Sequence, residues 1–371
     1  MKILIIEPFF TGSHQAWAEG YTKLSNNDVE IISLPGRFWK WRMHGGAVSL
    51  AKKFYKNGNN PDLILATDML NLPVFQSLAK PNCPVCIYFH ENQFTYPWSP
   101  RDQDVELQRD KHYGFINYSS ALSSDHNYFN SQYHLDSFFN GLEDFLKQFP
   151  DYREMHYIES IKKKSSVLHL GMDLKRFDPY KHNRRNRQEH SLPLILWNHR
   201  WEHDKNPETF FNVLRNLSDM GMDFQLAVIG EEFNNELPSF TNARKYLKKH
   251  IVQFGFVQTF EEYAKWLWRS DILPVTSIQD FFGVSIMEAI YCQTVPLLPS
   301  RLSYPKLLKE DNNPQLFYEN DSDLLEKLRN CIQNISELRQ EQYQSIASDY
   351  DWSNMITEYD NVFERSISTN I

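Results

Sequence analysis

Residues 277–289 read SIQDFFGVSIMEA and set two carboxylates, Asp280 and Glu288, with seven residues and a Phe-Phe-Gly turn signal between them. Two acids so placed suggest an acid-base pair, but the pattern predicts a loop and then a helix from about Val284, with Asp280 before it and Glu288 on its second turn. They need not face one another as a hydrolytic pair would. Unequal jobs suit the spacing better, with the loop carboxylate reaching a transferred group and the helix carboxylate accepting sugar hydroxyls. A cap-region acid and a solvated helix acid form the plainer alternative. Gly283 permits close backbone approach at the turn, and Val284 and Ser285 open the helix with backbone donors suited to an anion.

A second constellation lies upstream, in LWNHRWEHDKNPETFFNVL. Arg200 follows an apolar strand, Lys205 lies in the next loop, and Asn206-Pro207 starts a helix with Glu208 in its first turn. Two cations beside a helix start suit a diphosphate, because guanidinium and ammonium share its charge while backbone donors meet its oxygens. A pair of surface cations is the alternative. The chain has no GxxxxGKS or GxxxxGKT sequence and no complete GxGxxG after its first strand, only TGSH, which disfavours a P-loop nucleotidase.

Such residues need a scaffold that brings loops together, and the chain predicts one twice. The first half reads KILIIEP, VEIISLPG, DLILATD, VCIYFHE, GFINYSSALSSD and SSVLHLGMD, short apolar runs ending in polar turns. After it come LPLILWNHR, DFQLAVIGEE, IVQFGFV, DILPVTS, VPLLPS and QLFYEN, with helical candidates between them. Both halves fit buried parallel strands joined by crossover helices. Ligands bind beyond the carboxyl ends of such strands, which places Gly12, Ser13 and His14, then Asp68, then His90 and Glu91 along one crevice. The charged run KHNRRNRQEHSLP marks a boundary. The expected organisation is an N-terminal domain over 1–175, a basic linker over 176–190, a C-terminal domain over 191–345 and a helix within 346–371 that can cross back to the first domain. Trp352, Ile356, Tyr359 and Phe363 give that last helix its apolar stripe.

Composition narrows the classes. With 371 residues, 41% hydrophobic, and 26 Phe, 19 Tyr and 9 Trp, the chain can fill two cores and is not a disordered polymer. Four cysteines are too few for a disulfide framework at this length, and the Cys83/Cys86 pair leads into an apolar run as strand-entry residues do. The opening MKILIIEPFF reads as a strand, and no apolar run is long enough to span a bilayer, so a cytoplasmic protein with no stable membrane partner is expected. A net charge of −8 gives no global pull on nucleic acid, so any RNA contact must be local. GRFWKWRMHGG supplies a candidate: Arg37, Trp39, Lys40, Trp41, Arg42 and His44 interleave cations with rings, as a surface that stacks bases and neutralises phosphate does. The rings can equally anchor a loop. Asp102-Gln103-Asp104 and Asp321-Ser322-Asp323 read as loop acids without a metal role.

Three segments together resemble a known family. HRWEHDKNP, DFFGVSIMEA and LGMDLKRFDP are similar to motifs of the retaining glycosyltransferases of the B fold, in the family 4-like group that uses nucleotide sugars. That resemblance implies an α/β chain of two Rossmann-like parallel-sheet domains facing across a cleft. It implies that Arg200 and Lys205 hold the donor diphosphate, Glu288 binds the ribose and Asp280 contacts the donor sugar, with Gly12, Ser13, His14, Phe281, Phe282, Gly283, Val284 and Ser285 completing the donor site. His90, Asp280, Arg200 and Lys205 are the implied catalytic group, and His90, Glu91 and Asn92 join the basic-aromatic segment on the acceptor side. The family usually carries Glu at position 280, so the Asp here is one methylene shorter.

A narrower resemblance rests on IIEPFFTGSHQAWAEG, LPGRFWKWRMHGGA, DLILATDMLNLP, YFHENQFTYP and FINYSSALSSD, which are similar to the tRNA-queuosine mannosyltransferase family. It implies transfer of mannose from GDP-mannose to queuosine in the anticodon of tRNA-Asp, with retention at the sugar, no cofactor beyond the donor substrate and no metal requirement. The alternative acceptor is a lipid or polysaccharide, with a GDP- or UDP-sugar as donor.

Overall fold

The structure is a computed structural model that describes all residues except 57, 59, 99–101, 103, 105–106, 108–109, 187–190, 231–236 and 369–371. It divides into two compact units, residues 1–173 with 350–371, and residues 174–349.

The first unit is built on six strands: β1 (Lys2–Phe10), β2 (Asp28–Pro35), β3 (Leu63–Thr67), β4 (Val85–Phe89), β5 (His126–Phe129) and β6 (Ser165–Val167). They lie in the order β2-β1-β3-β4-β5-β6, each described pair parallel. Residues at β1, β3 and β4 are almost wholly buried, which explains why these strands read as unbroken apolar runs rather than alternating ones. Helices Trp39–Lys56 and Leu72–Ala79 cover one stretch of the sheet through Leu50, Phe54 and Phe75, and helix Gln132–Lys147 covers another through Phe138, Leu142 and Phe145.

The second unit repeats the plan with β7 (Leu194–Trp197), β8 (Gln225–Val228), β9 (Ile251–Phe254), β10 (Ile272–Pro274), β11 (Val295–Pro299) and β12 (Phe317–Tyr318), in the order β12-β11-β10-β7-β8-β9. Trp197, Phe210, Phe211 and Phe240 form the centre of its core. In each sheet the chain reverses its direction of travel once, between β1 and β3 in the first and between β7 and β10 in the second. Loops leaving those strands diverge to opposite faces and open a crevice at their carboxyl ends.

One expected strand is a helix. GFINYSSALSSD falls in helix Lys111–Ser123 and the turn after it, and the fifth strand is β5. Its buried residues, Tyr113, Ile116, Asn117, Ser120 and Ala121, recur at three and four residues, the helical period, and Ser120 Oγ donates to the Leu70 carbonyl at 3.0 Å. The expected linker 176–190 is, in its described part, a run of tight 3-10 turns, Lys175–Asn186; Phe177 there is fully buried and its carbonyl accepts from Trp268 Nε1 at 2.8 Å. Residues 187–190 lie outside the described residues.

The last helix, Trp352–Ser368, belongs to the first unit. Trp352 lies so close to Gly20 and Gly171 that a Cβ at either would come within 2.4 Å of the indole, and Tyr359 and Phe363 are fully buried. Asp360 fastens the helix: its carboxylate accepts from Tyr21 Oη at 3.0 Å, Ser25 Oγ at 2.5 Å and the Asn26 backbone N–H at 3.0 Å. Removing it leaves the buried Tyr21 hydroxyl and two part-buried donors without this partner, so Asp360→Ala is expected to lower unfolding free energy by about 1–3 kcal/mol, read from the urea midpoint. An unchanged midpoint contradicts this account of the helix anchor.

Candidate functional site

In the second unit, the chemistry gathers on the loops after β7 and β10, the two strands at the point of reversal. The loop after β7 reaches a 3-10 turn, His203–Lys205, and then Asn206, whose left-handed φ of +49° turns the chain into helix Pro207–Asp219. Lys205 is the buried cation of this loop. Its Nζ lies 3.1 Å from Asp204, 3.4 Å from Asp280 and 3.1 Å from the Gln279 carbonyl. Burial opposes its charge, but Asp280 and Asp204 outweigh burial and raise its pKa. Asp280 also accepts from Tyr304 Oη at 3.1 Å. The loop acid and the loop cation singled out by sequence are thus brought together. Arg200 is more exposed and pairs with Glu202 at 3.0 Å.

Gly283, at φ +94°, starts helix Val284–Tyr291, and a side chain there would press on Ile286 and Tyr304 at 3.2–3.3 Å. Ser285 ties the helix start to the β7 loop, its Oγ 3.1 Å from His199 Nδ1 and its carbonyl accepting from Asn198 Nδ2 at 2.7 Å. Gly230 makes room for that loop, since a Cβ there would overlap the His199 carbonyl. Burial, with the Lys205 charge beside it, lowers the His199 pKa to about 3, so the ring is neutral. Phe281 and Phe282 are buried in the core, which leaves only their backbone for a ligand. Glu288 sits one turn deeper than Ser285 and is held from two sides, by Arg176 Nη2 at 2.5 Å and Tyr263 Oη at 2.8 Å. Asp280 and Glu288 therefore have different partners and different surroundings. Asn198 Oδ1, His199 Nε2 and Gln279 Nε2, all on these two loops, are buried without a hydrogen-bond partner among the described residues. Orphaned buried polar atoms are rare, and their clustering here is what a polar ligand site leaves when no ligand is bound.

The first unit has its own cluster at the ends of β1, β3 and β4. Gly12, at φ +53°, opens helix Gly12–Leu24; Gly12 and Ser13 are exposed, and His14 turns inward. His14 Nδ1 is 3.0 Å from Glu7 Oε2, and its ring lies over the His90 ring with centroids 4.1 Å apart. The His90 backbone N–H donates to Asp68 at 2.8 Å, and His90 Nε2 is buried without a partner among the described residues. Burial, the His14 charge and His134 all push the His90 pKa well down. Ligand atoms of Glu7, His14 and His90 lie within 4.8 Å of one another. The two rings are tilted by only 33° over one another, however, whereas shared metal ligation aims two ring edges at one point. Glu91 bonds Gln93, and Asn92 is fully buried with its side chain spent on Phe94, Thr95 and Ser137, where it locks the turn.

The basic-aromatic segment splits into an inner and an outer face. Trp39 packs against Trp98 and Tyr113, Lys40 pairs with Asp102 at 2.6 Å and Asp104 at 2.5 Å, and His44 Nδ1 meets the Lys40 carbonyl at 2.8 Å. Those three residues hold the helix Trp39–Lys56 to its neighbours. Arg37 and Trp41 face outward, Trp41 65% exposed with its ring flat against Gly45, while Arg42 is half-buried and donates to the Pro35 carbonyl at 3.1 Å. Beside them stands Phe38, 72% exposed at a left-handed φ of +58° with the Arg37 guanidinium 5.9 Å from its ring.

Several of these residues escape a sequence reading. Arg176 lies in a segment that reads as connector, Tyr263 on a helix whose pattern reads as packing, and Tyr304 beyond an unremarkable turn. Glu7 leaves a legible signal, a lone carboxylate inside an apolar strand. On the expectation that Glu288 meets a ribose, Tyr263→Phe removes one hydrogen bond to a buried carboxylate and is expected to weaken nucleoside diphosphate binding about 5- to 10-fold by calorimetry, with the melting temperature lowered by only about a few degrees. Equal affinity in the variant places the ribose contact elsewhere.

Comparison with known proteins agrees with this layout. Residues 2–172 match the family model of the tRNA-queuosine alpha-mannosyltransferase N-terminal region, and residues 181–347 match the model of glycosyl transferases group 1. A curated tRNA-queuosine alpha-mannosyltransferase from Drosophila melanogaster is 34% identical over 339 residues, covering 88% of this chain and 86% of the relative. Among solved structures, the sucrose-phosphate synthase of Thermosynechococcus elongatus superposes with a TM-score of 0.71 at 12% identity, each chain covered fully. Anabaena HepE in complex with UDP and glucose superposes at 0.65 with 13% identity, covering 98% of this chain and all of that one. Those two share the fold with it, two parallel α/β units of the glycosyltransferase B type. On the extent and identity of the match, 34% over 88% of this chain, the chain belongs to the tRNA-queuosine alpha-mannosyltransferase family.

Proposed function

We propose that this chain is a retaining hexosyltransferase that moves mannose from GDP-mannose to queuosine in the anticodon of tRNA-Asp. The observation that carries the reading is the 34% identity to a curated tRNA-queuosine alpha-mannosyltransferase along nearly the whole of both chains. The paired Lys205 and Asp280, the clamped Glu288 and the orphaned polar atoms between them support a nucleotide-sugar site in the second unit.

In this reading Glu288, steadied by Arg176 and Tyr263, accepts the ribose hydroxyls. Lys205 and Arg200, with the backbone donors at Val284 and Ser285, take up the charge that develops on the diphosphate as the sugar leaves. The bond from the anomeric carbon to the phosphate oxygen breaks with its electron pair going to phosphate. The acceptor oxygen bonds the same face of that carbon, and its proton passes to the departing phosphate oxygen. Asp280, oriented by Lys205 and Tyr304, holds the sugar during this step. Fixed cations serve the leaving group, so no metal is required. On the acceptor side, Arg37, Phe38, Trp41 and Arg42 form a local stacking and phosphate-binding ridge on a chain whose net charge of −8 otherwise repels RNA. The four free cysteines suit a reducing cytoplasm, where tRNA is modified. Among the described residues no helix is long and apolar enough to cross a membrane.

The direct test incubates the protein with GDP-mannose and matched tRNA-Asp with or without queuosine, followed by nucleoside mass analysis. A hexose on queuosine alone is expected; no hexose on any queuosine-tRNA removes the assignment. Lys205→Ala is expected to cut kcat about 100- to 1,000-fold, as loss of a transition-state charge partner does. Phe38→Ala with Trp41→Ala should raise the KM for tRNA at least about 10-fold and leave the donor KM unchanged, since stacking contributes about 1–3 kcal/mol per base. Binding to anionic vesicles but not tRNA at matched salt would shift the acceptor to a lipid.

A further inference from the structure

Beneath the exposed turn at Gly12 and Ser13 lies a charge pair, Glu7 with His14, to which the resemblance assigns no joint task. Glu7 sits on β1, paired on both sides by β2 and β3, with no exposure at all. Its Oε1 accepts from the Phe9 backbone N–H at 2.7 Å, and its Oε2 lies 3.0 Å from His14 Nδ1. A carboxylate buried on a central strand is costly unless a cation answers it. His14 is poorly placed to be that cation by itself. It is buried, and it occupies the first turn of a helix, where the macrodipole disfavours positive charge.

The charges around it decide the balance. Glu7 faces the ring from β1, Asp68 from the end of β3 and Glu91 from the end of β4, while the His90 ring stacked on it carries no charge and His134 lies behind His90. Burial lowers the His14 pKa, but the Glu7 carboxylate, with smaller help from Asp68 and Glu91, more than offsets it and brings the group to about 9; burial pushes the Asp68 carboxyl itself up to about 8, so it gains its charge only as pH rises. At neutral pH His14 is therefore an imidazolium. Its Nδ1–H is committed to Glu7, and Nε2–H is left to donate elsewhere.

We propose that Glu7 is a positioning residue: it holds the His14 ring by one N–H and leaves the other ring N–H to a phosphate oxygen brought to the exposed Gly12–Ser13 turn. This rests on the donor-site reading of Gly12 to His14 and adds to it a charge that does not come from arginine, lysine or metal. The same charge keeps His90 neutral, so the two stacked rings do unlike jobs.

The test uses the full chain with labelled histidine. Without any substrate, the His14 ring of the wild type should titrate near 9 by NMR. In Glu7→Gln, a near-isosteric change, the midpoint should fall by at least about one unit. Kinetics at saturating substrates over about pH 6 to about pH 10 should follow the same shift. Because the protonated form is the active one, wild-type kcat holds at low pH and falls as pH rises through the His14 value. The variant should begin to fall correspondingly earlier and recover toward wild type at the acid end. Glu7→Asp, which keeps a carboxylate, should lie between them, and in a His14→Asn background Glu7→Gln should have no further effect on kcat. A wild-type His14 that titrates below about 7 overturns the proposal without any variant. So does an unchanged midpoint in Glu7→Gln, a loss equal at every pH, or one equivalent of tightly bound metal in the purified protein. The NMR result needs no donor and so fails or stands separately from the donor reading, whereas wild-type kinetics in His14→Asn would remove His14 from the donor site while leaving its titration intact.

Discussion

A sugar leaves a nucleoside diphosphate only when something meets the charge released on phosphate, and a cation kept in a nearly dry loop survives only beside an opposite charge. That double requirement organises the chemistry of this molecule. Lys205 is wedged between Asp204 and Asp280, Glu288 is held by Arg176 and Tyr263, and His14 stands on Glu7. Each charge assigned a chemical task is fixed by another whose task is to hold it. Such pairs add little net stability once desolvation is counted. Their value is preorganisation, since dipoles and charges already in place need not reorient as the reaction proceeds.

Parallel sheets with one reversal of direction supply the place for these pairs. β7 and β10 pair in the sheet although 74 residues separate Trp197 from Asp271, and the pairing sets their carboxyl-end loops side by side. Local backbone features then aim the groups: the left-handed Asn206 starts one helix, Gly283 starts the other, and Gly230 lets the Arg200 loop close down. In the first unit the returning C-terminal helix, anchored through Asp360 and Trp352, packs on the helix that carries His14. A structural anchor and a functional side chain thus share one helix, which couples its stability to the placement of the charge pair.

Much of this layout is legible in the sequence, for identifiable reasons. Buried parallel strands such as β1, β3, β4, β7 and β11 leave continuous apolar runs, so most strands among the described residues stand out, and motif residues that follow them fall at the loops by topology. The fifth strand does not, because His126–Phe129 opens with two polar residues, His126 and Asn127, and the longer helix before it carries more of the apolar pattern. Pairing is harder to read than position. Asp280 and Lys205 announce themselves, but that they touch depends on the reversal point, and Arg176 reaches Glu288 across 112 residues of chain. The basic-aromatic segment shows the same limit: types and spacing point to a recognition surface, whereas the division into inward Trp39, Lys40 and His44 and outward Arg37, Phe38 and Trp41 follows from helix phase and from a strained φ at Phe38.

The central claim is that fixed protein cations, not a divalent ion, carry the charge of the departing diphosphate. Single-turnover transfer from GDP-mannose to queuosine-containing tRNA, measured with and without a chelator, tests it most directly. The account predicts the same rate constant in both conditions, and a Lys205→Ala rate that added magnesium or manganese does not restore. Loss of transfer on chelation, recovered by returning the divalent ion to the wild-type protein, would contradict it.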